Sequence, residues 1–474
     1  MSAVESRTPH DLRAFNNGMI ALYDDLAPRG VAHRRAGFRG VAFLDPSCND
    51  RRPPLRRLPR RQAPPTCVVN LPRCGCAAHR CTCGRGAHLR QMKALTYQGP
   101  YRVAIRNKPT PRIEHPQDGI VRVTAAAICG SDLHLLHGLV PDTRIGFTFG
   151  HEFVGVVEEL GPNAQGVRKG DRVMLPFQIF CGGCYYCTRG LTSCCENTNP
   201  ATDAGTGIYG YSHTMGGYDG GQAEYVRVPF ISVDAEKIPD GVADLDALPL
   251  TDAATTGYQA AEMTEIKGGE TVLVLGCGPV GLFAMWSLWA MGAGRIIAVD
   301  HVDYRLEFAR RWLGVETLNF KDVDLVTTVK GMTDDRGADA TVEAVGCEAA
   351  GSPVHRTMGV YLKMEAGSPQ AINFAIHSTK KGGVISLIGA YGPPYIGVDL
   401  GTFMNKAQRM NTGQASVKRY MPRMLEHVQA GRLKPSEVFT HRLPLDDAPA
   451  AYRTFARKQD GCIKVALLPN HTLH

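Results

Sequence analysis

The stretch TVLVLGCGPVGLFAMWSLWAMGAGRIIAVD, residues 271–300, constrains the chain more than any other. TVLVL reads as a buried parallel strand, and Gly276, Gly278 and Gly281 form G-x-G-x-x-G directly after it. The first glycine permits a sharp turn and the second lets backbone approach a pyrophosphate. The third lets helix and strand pack closely. The phosphates are expected at the helix N-terminus, around Pro279 and Val280, where N–H groups lack partners and the dipole is positive. RIIAVD supplies the next strand and ends in Asp300. An acid there accepts hydrogen bonds from a ribose 2′-OH and repels a 2′-phosphate, so NAD is favoured over NADP. Arg305, five residues on, suits the adenosine end, where a guanidinium stacks on adenine or meets phosphate. Further β/α units follow. ADATVEAVG (338–346) reads as the fourth strand, with Val345 counted among the cofactor contacts, and GGVISLIGAYG (382–392) as the fifth. The sheet is expected to end near RMNTGQAS (409–416).

The apolar run LFAMWSLWAMGAG is therefore a helix on this sheet, and it is shorter than the ~18 apolar residues a membrane span needs. The net charge of +8 does not argue for nucleic acid. Sixteen arginines, no lysine and six acids give residues 1–91 a charge of +10, which leaves −2 on residues 92–474. That N-terminal stretch, with RRPPLRRLPRRQAPP, shows no sustained helical or strand period and is expected to be a disordered extension. Its CGCAAHRCTC (74–83) is a poor match to C-x2-C zinc geometry, and a basic arm is a minor alternative. At Met92, MKALTYQGPYRVAIRNKP begins abruptly with strand-like alternation and the first lysine, so the expected start of the folded protein is Met92. No signal-peptide pattern follows Met1, and the expected location is cytoplasmic.

Nine of the fifteen cysteines lie beyond residue 91, an odd number that suits thiolate metal sites in a reducing compartment. CGGCYYCTRGLTSCC (181–195) holds five of them. Cys181, Cys184 and Cys187 are spaced C-x2-C-x2-C, and either Cys194 or Cys195 completes four. Four thiolates close a zinc coordination shell, which makes such a site structural. Two other segments, CGSDLHLLHG (129–138) and FGHEFVG (149–155), place a soft and a borderline zinc ligand, Cys129 and His151, with Glu152 beside the latter.

CGSDLH, GHEFVGVV, KGDRV, the cysteine cluster, GGQAEYVRVP, TTGY and the glycine-rich turn occur in one order. From about Met92 to Lys464 the chain resembles the zinc-containing medium-chain dehydrogenase/reductases, the alcohol dehydrogenase family. The resemblance implies a β-rich GroES-like catalytic domain plus an α/β Rossmann domain with a doubly wound parallel sheet, and an active site between them. It puts the catalytic domain at 92–252 and 417–474, with a zinc lobe at about 181–195, and the NAD-binding domain at 253–416. RYMPRMLEHVQAGRL (419–433) is amphipathic at helical spacing, and residues 441–469 match the chain's return to the catalytic domain.

The same resemblance assigns roles. The structural zinc takes Cys181, Cys184, Cys187 and Cys195, leaving Cys194 as a spare thiol. The catalytic zinc takes Cys129, His151 and, in LTDAATTGY, Asp252, where many alcohol dehydrogenases have Cys. This departure resembles the glutathione-independent formaldehyde dehydrogenase branch. Ser131 and His134 match the proton relay, Asp132 the acceptor that holds His151, and Glu152 an acid beside the metal. Lys464 matches a basic residue near the pyrophosphate, and His137 is a loop histidine without a role. The implied activity is zinc- and NAD-dependent oxidation of a small alcohol or aldehyde hydrate, formaldehyde foremost, with two zinc ions per subunit. A sorbitol- or threonine-type dehydrogenase is the rival within the family, and a zinc- and NAD-binding protein without turnover the rival outside it. A homodimer or homotetramer is implied, with no nucleic-acid or membrane partner. Residues 196–221 read as a glycine-rich loop over the cofactor or the pocket.

Overall fold

GIVRVTAAAI, residues Gly119–Ile128, is apolar at nearly every position, as a strand buried on both faces must be. In the computed structural model, which describes residues 90–140, 142–200, 205–348, 368–391 and 397–469, this strand is central to a seven-stranded sheet. Along the sheet run Phe439–Pro444, Lys464–Leu468, Gly119–Ile128, Glu152–Leu160, Arg172–Leu175 and Glu236–Lys237, and Tyr225–Val228 also pairs with Gly119–Ile128. Only the first two strands are parallel to each other. A hairpin, Gln91–Tyr97 with Val103–Pro109, precedes it. The expectations for residues 1–89 lie outside the described residues.

The second sheet is parallel throughout. Its order is Glu316–Asn319, Arg295–Asp300, Thr271–Leu275, Ala338–Glu343, Thr379–Leu387, Arg409–Thr412. Parallel neighbours need crossovers, and the chain supplies helices such as Pro279–Ala290, Asp303–Leu313 and Gln370–Ser378 between them. Strand order reverses at Thr271–Leu275, and a crevice opens at the carboxyl ends of strands at such a switch point. The fold is thus a GroES-like β domain joined to a doubly wound Rossmann sheet.

Two helices tie the sheets together. Ala253–Glu262 packs against Pro279–Ala290, and Val417–Gln429 packs against Ala253–Glu262. Val417–Gln429 buries Tyr420, Met421, Met424 and Leu425, spaced i, i+1, i+4, i+5, and turns its charged residues outward. Tyr420 Oη donates to Glu262 Oε2 at 2.6 Å across that contact. Among the described residues no helix is long and apolar enough to cross a membrane.

Candidate active site

Cys129, His151 and Asp252 are 22 to 123 residues apart in sequence, and each sits where an element ends or begins. Cys129 follows the strand Gly119–Ile128, His151 immediately precedes Glu152–Leu160, and Asp252 precedes the helix Ala253–Glu262. The fold brings them to one point. Asp252 Oδ2 lies 3.4 Å from Cys129 Sγ and 3.3 Å from His151 Nε2. With zinc bonds of roughly 2.0–2.3 Å, neighbouring ligands of a tetrahedral shell stand about 3.3–3.8 Å apart, so the donor atoms fit a zinc ion. Asp252 occupies the N-cap position, yet its carboxylate makes no cap hydrogen bond. Its Oδ1 accepts from Thr256 Oγ1 at 2.8 Å, which leaves Oδ2 directed at Cys129 and His151.

The donors are also coupled electrostatically, to one another and to the buried ammonium of Lys464. Burial, with the charges of Asp252 and Glu152, pushes the Cys129 thiol up. Burial alone would raise Asp252, but the hydrogen bond and charge of His151 outweigh it and hold this carboxyl down at about 2. A thiol and two carboxylates are thus crowded together, with Glu152 completing a group of four whose ligand atoms lie within 4.8 Å of one another. A divalent ion relieves that crowding and deprotonates the thiol.

Asp132 stands against the histidine. Its Oδ1 lies 3.3 Å from His151 Nδ1, and its Oδ2 accepts from Cys129 N–H at 3.0 Å. Two further residues extend this chain and carry no sequence signature as ligands. Gln222 Nε2 donates to Asp132 Oδ2 at 3.1 Å and to Ala127 O at 2.9 Å, and Tyr452 Oη donates to Gln222 Oε1 at 2.8 Å. Gln222 lies within GGQAEYVRVP, so the motif was visible while this role was not. Partners of this kind fix ring orientation and typically matter 10–100-fold. Ser131 Oγ lies 3.4 Å from His151 Nε2, at the rim of the same cluster. His134 is buried between Tyr211 and Cys347. His137 is also buried, its ring 5.2 Å from that of Tyr101, so its expected place in an open loop is corrected.

Lys464, expected near a pyrophosphate, is buried, and its ammonium donates to Glu152 Oε1 at 2.7 Å. The strand Lys464–Leu468 pairs with Gly119–Ile128, beside the strand that Glu152 begins, and this registers the side chain into the metal cluster. Lys464→Met strands a buried carboxylate and is expected to destabilise the protein by about 3–5 kcal/mol. Denaturant unfolding measures this, and adding Glu152→Gln is expected to recover most of the loss.

A cavity of about 920 Å³ runs from Cys129, His151 and Asp252 to Asp300 and Arg305. Gly276, Gly278, Pro279, Val280 and Val345 line its far half, at the carboxyl ends of the parallel strands. Gly276 has φ +98°, and a Cβ on Gly281 would collide with the Gly276 carbonyl oxygen, so the turn needs both glycines. Asp300 Oδ2 accepts from Cys277 N–H at 2.9 Å, and Oδ1 from the N–H groups of His301 and Val302. A carboxylate has about four acceptor sites, so capacity is left for ribose hydroxyls. Arg305 keeps a buried Nε without a hydrogen-bond partner and stands beside Gly278, as a cation awaiting a phosphate or adenine would. These residues fit a dinucleotide. The near half is walled by Phe177, Ile208, Tyr211 and Met215. Three of these come from residues 205–221, so the described part of the glycine-rich loop lies over the metal end of the cavity.

Apart from this cavity, Cys181, Cys184, Cys187 and Cys195 gather with ligand atoms within 4.8 Å of one another, and Cys194 is exposed. Burial would raise the Cys184 thiol, but the N–H groups of Cys187 and Glu196 outweigh it and bring it to about 6. Burial pushes Cys187 up. Four thiols so placed fit a zinc ion, which binds as protons leave.

Fold and site together define an oxidoreductase of the zinc-binding dehydrogenase class. The chain belongs to the zinc-containing medium-chain alcohol dehydrogenase family. Residues 115–240 match the alcohol dehydrogenase GroES-like domain, and residues 279–360 match the zinc-binding dehydrogenase domain. An uncharacterised zinc-type alcohol dehydrogenase-like protein of Bacillus subtilis is 43% identical over 80% of this chain and 100% of its own length. The glutathione-independent formaldehyde dehydrogenase of Pseudomonas aeruginosa is 32% identical over 77% of this chain and 94% of its own. The alcohol dehydrogenase of Thermus sp. ATN1 superposes with a TM-score of 0.69 at 35% identity, covering 80% of this chain and 99% of that one.

Proposed function

We propose that the chain oxidises small alcohols or aldehyde hydrates with NAD, taking Cys129, His151 and Asp252 as ligands of a catalytic zinc. The observation that carries this reading is the three-donor cluster opening onto the cavity that reaches the dinucleotide turn. Three protein ligands leave one position for a substrate oxygen. Zinc supplies Lewis-acid polarisation there, and nicotinamide supplies the hydride acceptor.

The chain's residues do the rest. Asp132 holds the His151 ring. Phe177, Ile208 and Met215 exclude water beside the ligands. The substrate loses a hydride and a proton, and Ser131 and His134 carry the proton away. Residues 253–416 serve as the NAD-binding domain, 92–252 and 417–474 as the catalytic domain, and the four-cysteine lobe as a second, structural zinc site.

Asp252 and the likeness to a formaldehyde dehydrogenase support formaldehyde hydrate as a substrate. NADH production from formaldehyde without glutathione, ethanol, benzyl alcohol, sorbitol and threonine tests the reading. Turnover of sorbitol or threonine alone would overturn it, as would no turnover by zinc-replete protein. Asp300→Asn tests cofactor choice. The variant keeps an acceptor for the turn and loses the charge that repels a 2′-phosphate. The ratio of kcat/KM with NADP to that with NAD is expected to rise about tenfold or more.

A further inference from the structure

Two cations from different parts of the fold line the cavity together with Asp300 and His301. Arg305 belongs to the helix Asp303–Leu313 beside the parallel sheet. Lys458 follows the helix Ala448–Ala456, in the segment between two strands of the seven-stranded sheet, Phe439–Pro444 and Lys464–Leu468.

The turn that carries Lys458 is fastened on two sides. His441 Nε2 lies 3.2 Å from Asp460 Oδ2, and Ile463 N–H donates to Thr440 Oγ1 at 3.0 Å, which ties the turn to Phe439–Pro444. Tyr304 Oη donates to Cys462 O at 3.0 Å, which ties it to the helix that bears Arg305. Lys458 has φ +53° and Asp460 φ +56°, a left-handed conformation that residues other than glycine seldom adopt. Backbone of this kind collects at ligand clamps, where the surrounding structure holds it in place.

The charges belong to one neighbourhood. Burial holds the His301 imidazole below its usual range, and Lys458, Lys321 and Arg305 press in the same direction while Asp300 opposes them. Arg305 also keeps a buried Nε without a hydrogen-bond partner. The acid that would accept a ribose hydroxyl is thus set among cations.

Resting on the reading of Asp300 as the acceptor for a ribose 2′-hydroxyl, we propose that Lys458 and Arg305 form a cationic seat for a 2′-phosphate, which Asp300 keeps closed. A phosphate ester carries about −1.5 to −2 charge at neutral pH, so the carboxylate repels it while ammonium and guanidinium attract it. With a neutral residue at position 300 only the attraction is left. Lys458 is therefore a specificity-determining residue supplied from outside the parallel sheet. Cofactor choice becomes a balance between one carboxylate and two cations, and the strand–turn–helix at 271–300 contributes only the first of them.

The test titrates adenosine 2′,5′-bisphosphate and adenosine 5′-monophosphate into the full chain by calorimetry, with thermal unfolding as the folding control. Asp300→Asn is expected to raise the affinity ratio of bisphosphate to monophosphate about tenfold or more. Adding Lys458→Met is expected to take back about 3- to 10-fold of the bisphosphate affinity and to leave the monophosphate within about twofold. Lys458→Arg in the same background is expected to keep the gain. In the parent chain Lys458→Met alone is expected to lower the same ratio. The kcat/KM values with NADP and NAD are expected to follow the two probes. If Asp300→Asn brings the gain and Lys458→Met leaves it whole, or weakens both probes equally, the role of Lys458 is wrong while that of Asp300 stands. If Asp300→Asn leaves the ratio unchanged, the reading of Asp300 falls and this inference falls with it.

Discussion

Asp252→Ala is expected to lower kcat/KM by about 10³-fold or more and to remove the zinc ion proposed at this site. The carboxylate lies at 3.3–3.4 Å from both other donors and is buried, so water does not replace it at equal strength. A thousandfold loss corresponds to about 4 kcal/mol, within reach of a polarising interaction in a water-excluded site. Atomic absorption on purified protein gives the zinc count, and initial rates of NADH formation give the activity. Asp252→Cys is the informative companion. It supplies the ligand found in many relatives of the family and is expected to retain zinc. Full activity with Asp252→Ala would remove Asp252 from the metal centre, and with it the reason for preferring formaldehyde hydrate.

The second large effect is expected in the cysteine lobe. Cys195→Ser removes one of four clustered sulfurs, and Cys194→Ser removes the exposed neighbour one residue away. If the lobe holds zinc, the first variant loses one ion and the second loses none. Zinc in peptide sites of this kind contributes on the order of 10–16 kcal/mol of apparent folding free energy at neutral pH. Even partial loss is therefore expected to lower the unfolding temperature by more than about 10 °C, while Cys194→Ser stays within about 1 °C of the parent. Acid accentuates the difference. Bound thiolates must take up protons as the metal leaves, so zinc retention by the lobe weakens as pH falls. Equal behaviour of the two variants, scored by calorimetry and zinc content, would be evidence against the assignment.

Much of this molecule was legible in its sequence, and the legible parts share a cause. The strand–turn–helix at 271–300 is local, so periodicity and three glycines carry it. The cysteine lobe is compact, so spacing carries it. The strands expected at 338–346 and 382–392 occur at Ala338–Glu343 and Thr379–Leu387, the second beginning three residues earlier, and the sheet expected to end near 409–416 ends with Arg409–Thr412. What the sequence hid was pairing across long separations between residues of unremarkable type. Gln222 and Tyr452 are 230 residues apart, and neither announces that it braces Asp132. Cys347 stands in no motif, and the His134 ring it touches is 213 residues away in sequence. The partner of Lys464 was hidden for a related reason, because only strand register reveals the buried carboxylate of Glu152 beside it.

That buried pair also bears on when the protein becomes competent during its synthesis. Glu152 and Lys464 are 312 residues apart, with the whole parallel sheet threaded between them. A ribosome adding about 5–20 residues per second emits the first long before the second. For that interval the emerging β domain carries Cys129, His151, Glu152 and Asp252 with their negative charge uncompensated by the lysine. A nascent chain is therefore expected to hold its metal cluster open to water, and to close it only when the strand Lys464–Leu468 docks beside Gly119–Ile128. On the proposed metal site, completion of the centre is therefore expected to await the last strand of the chain.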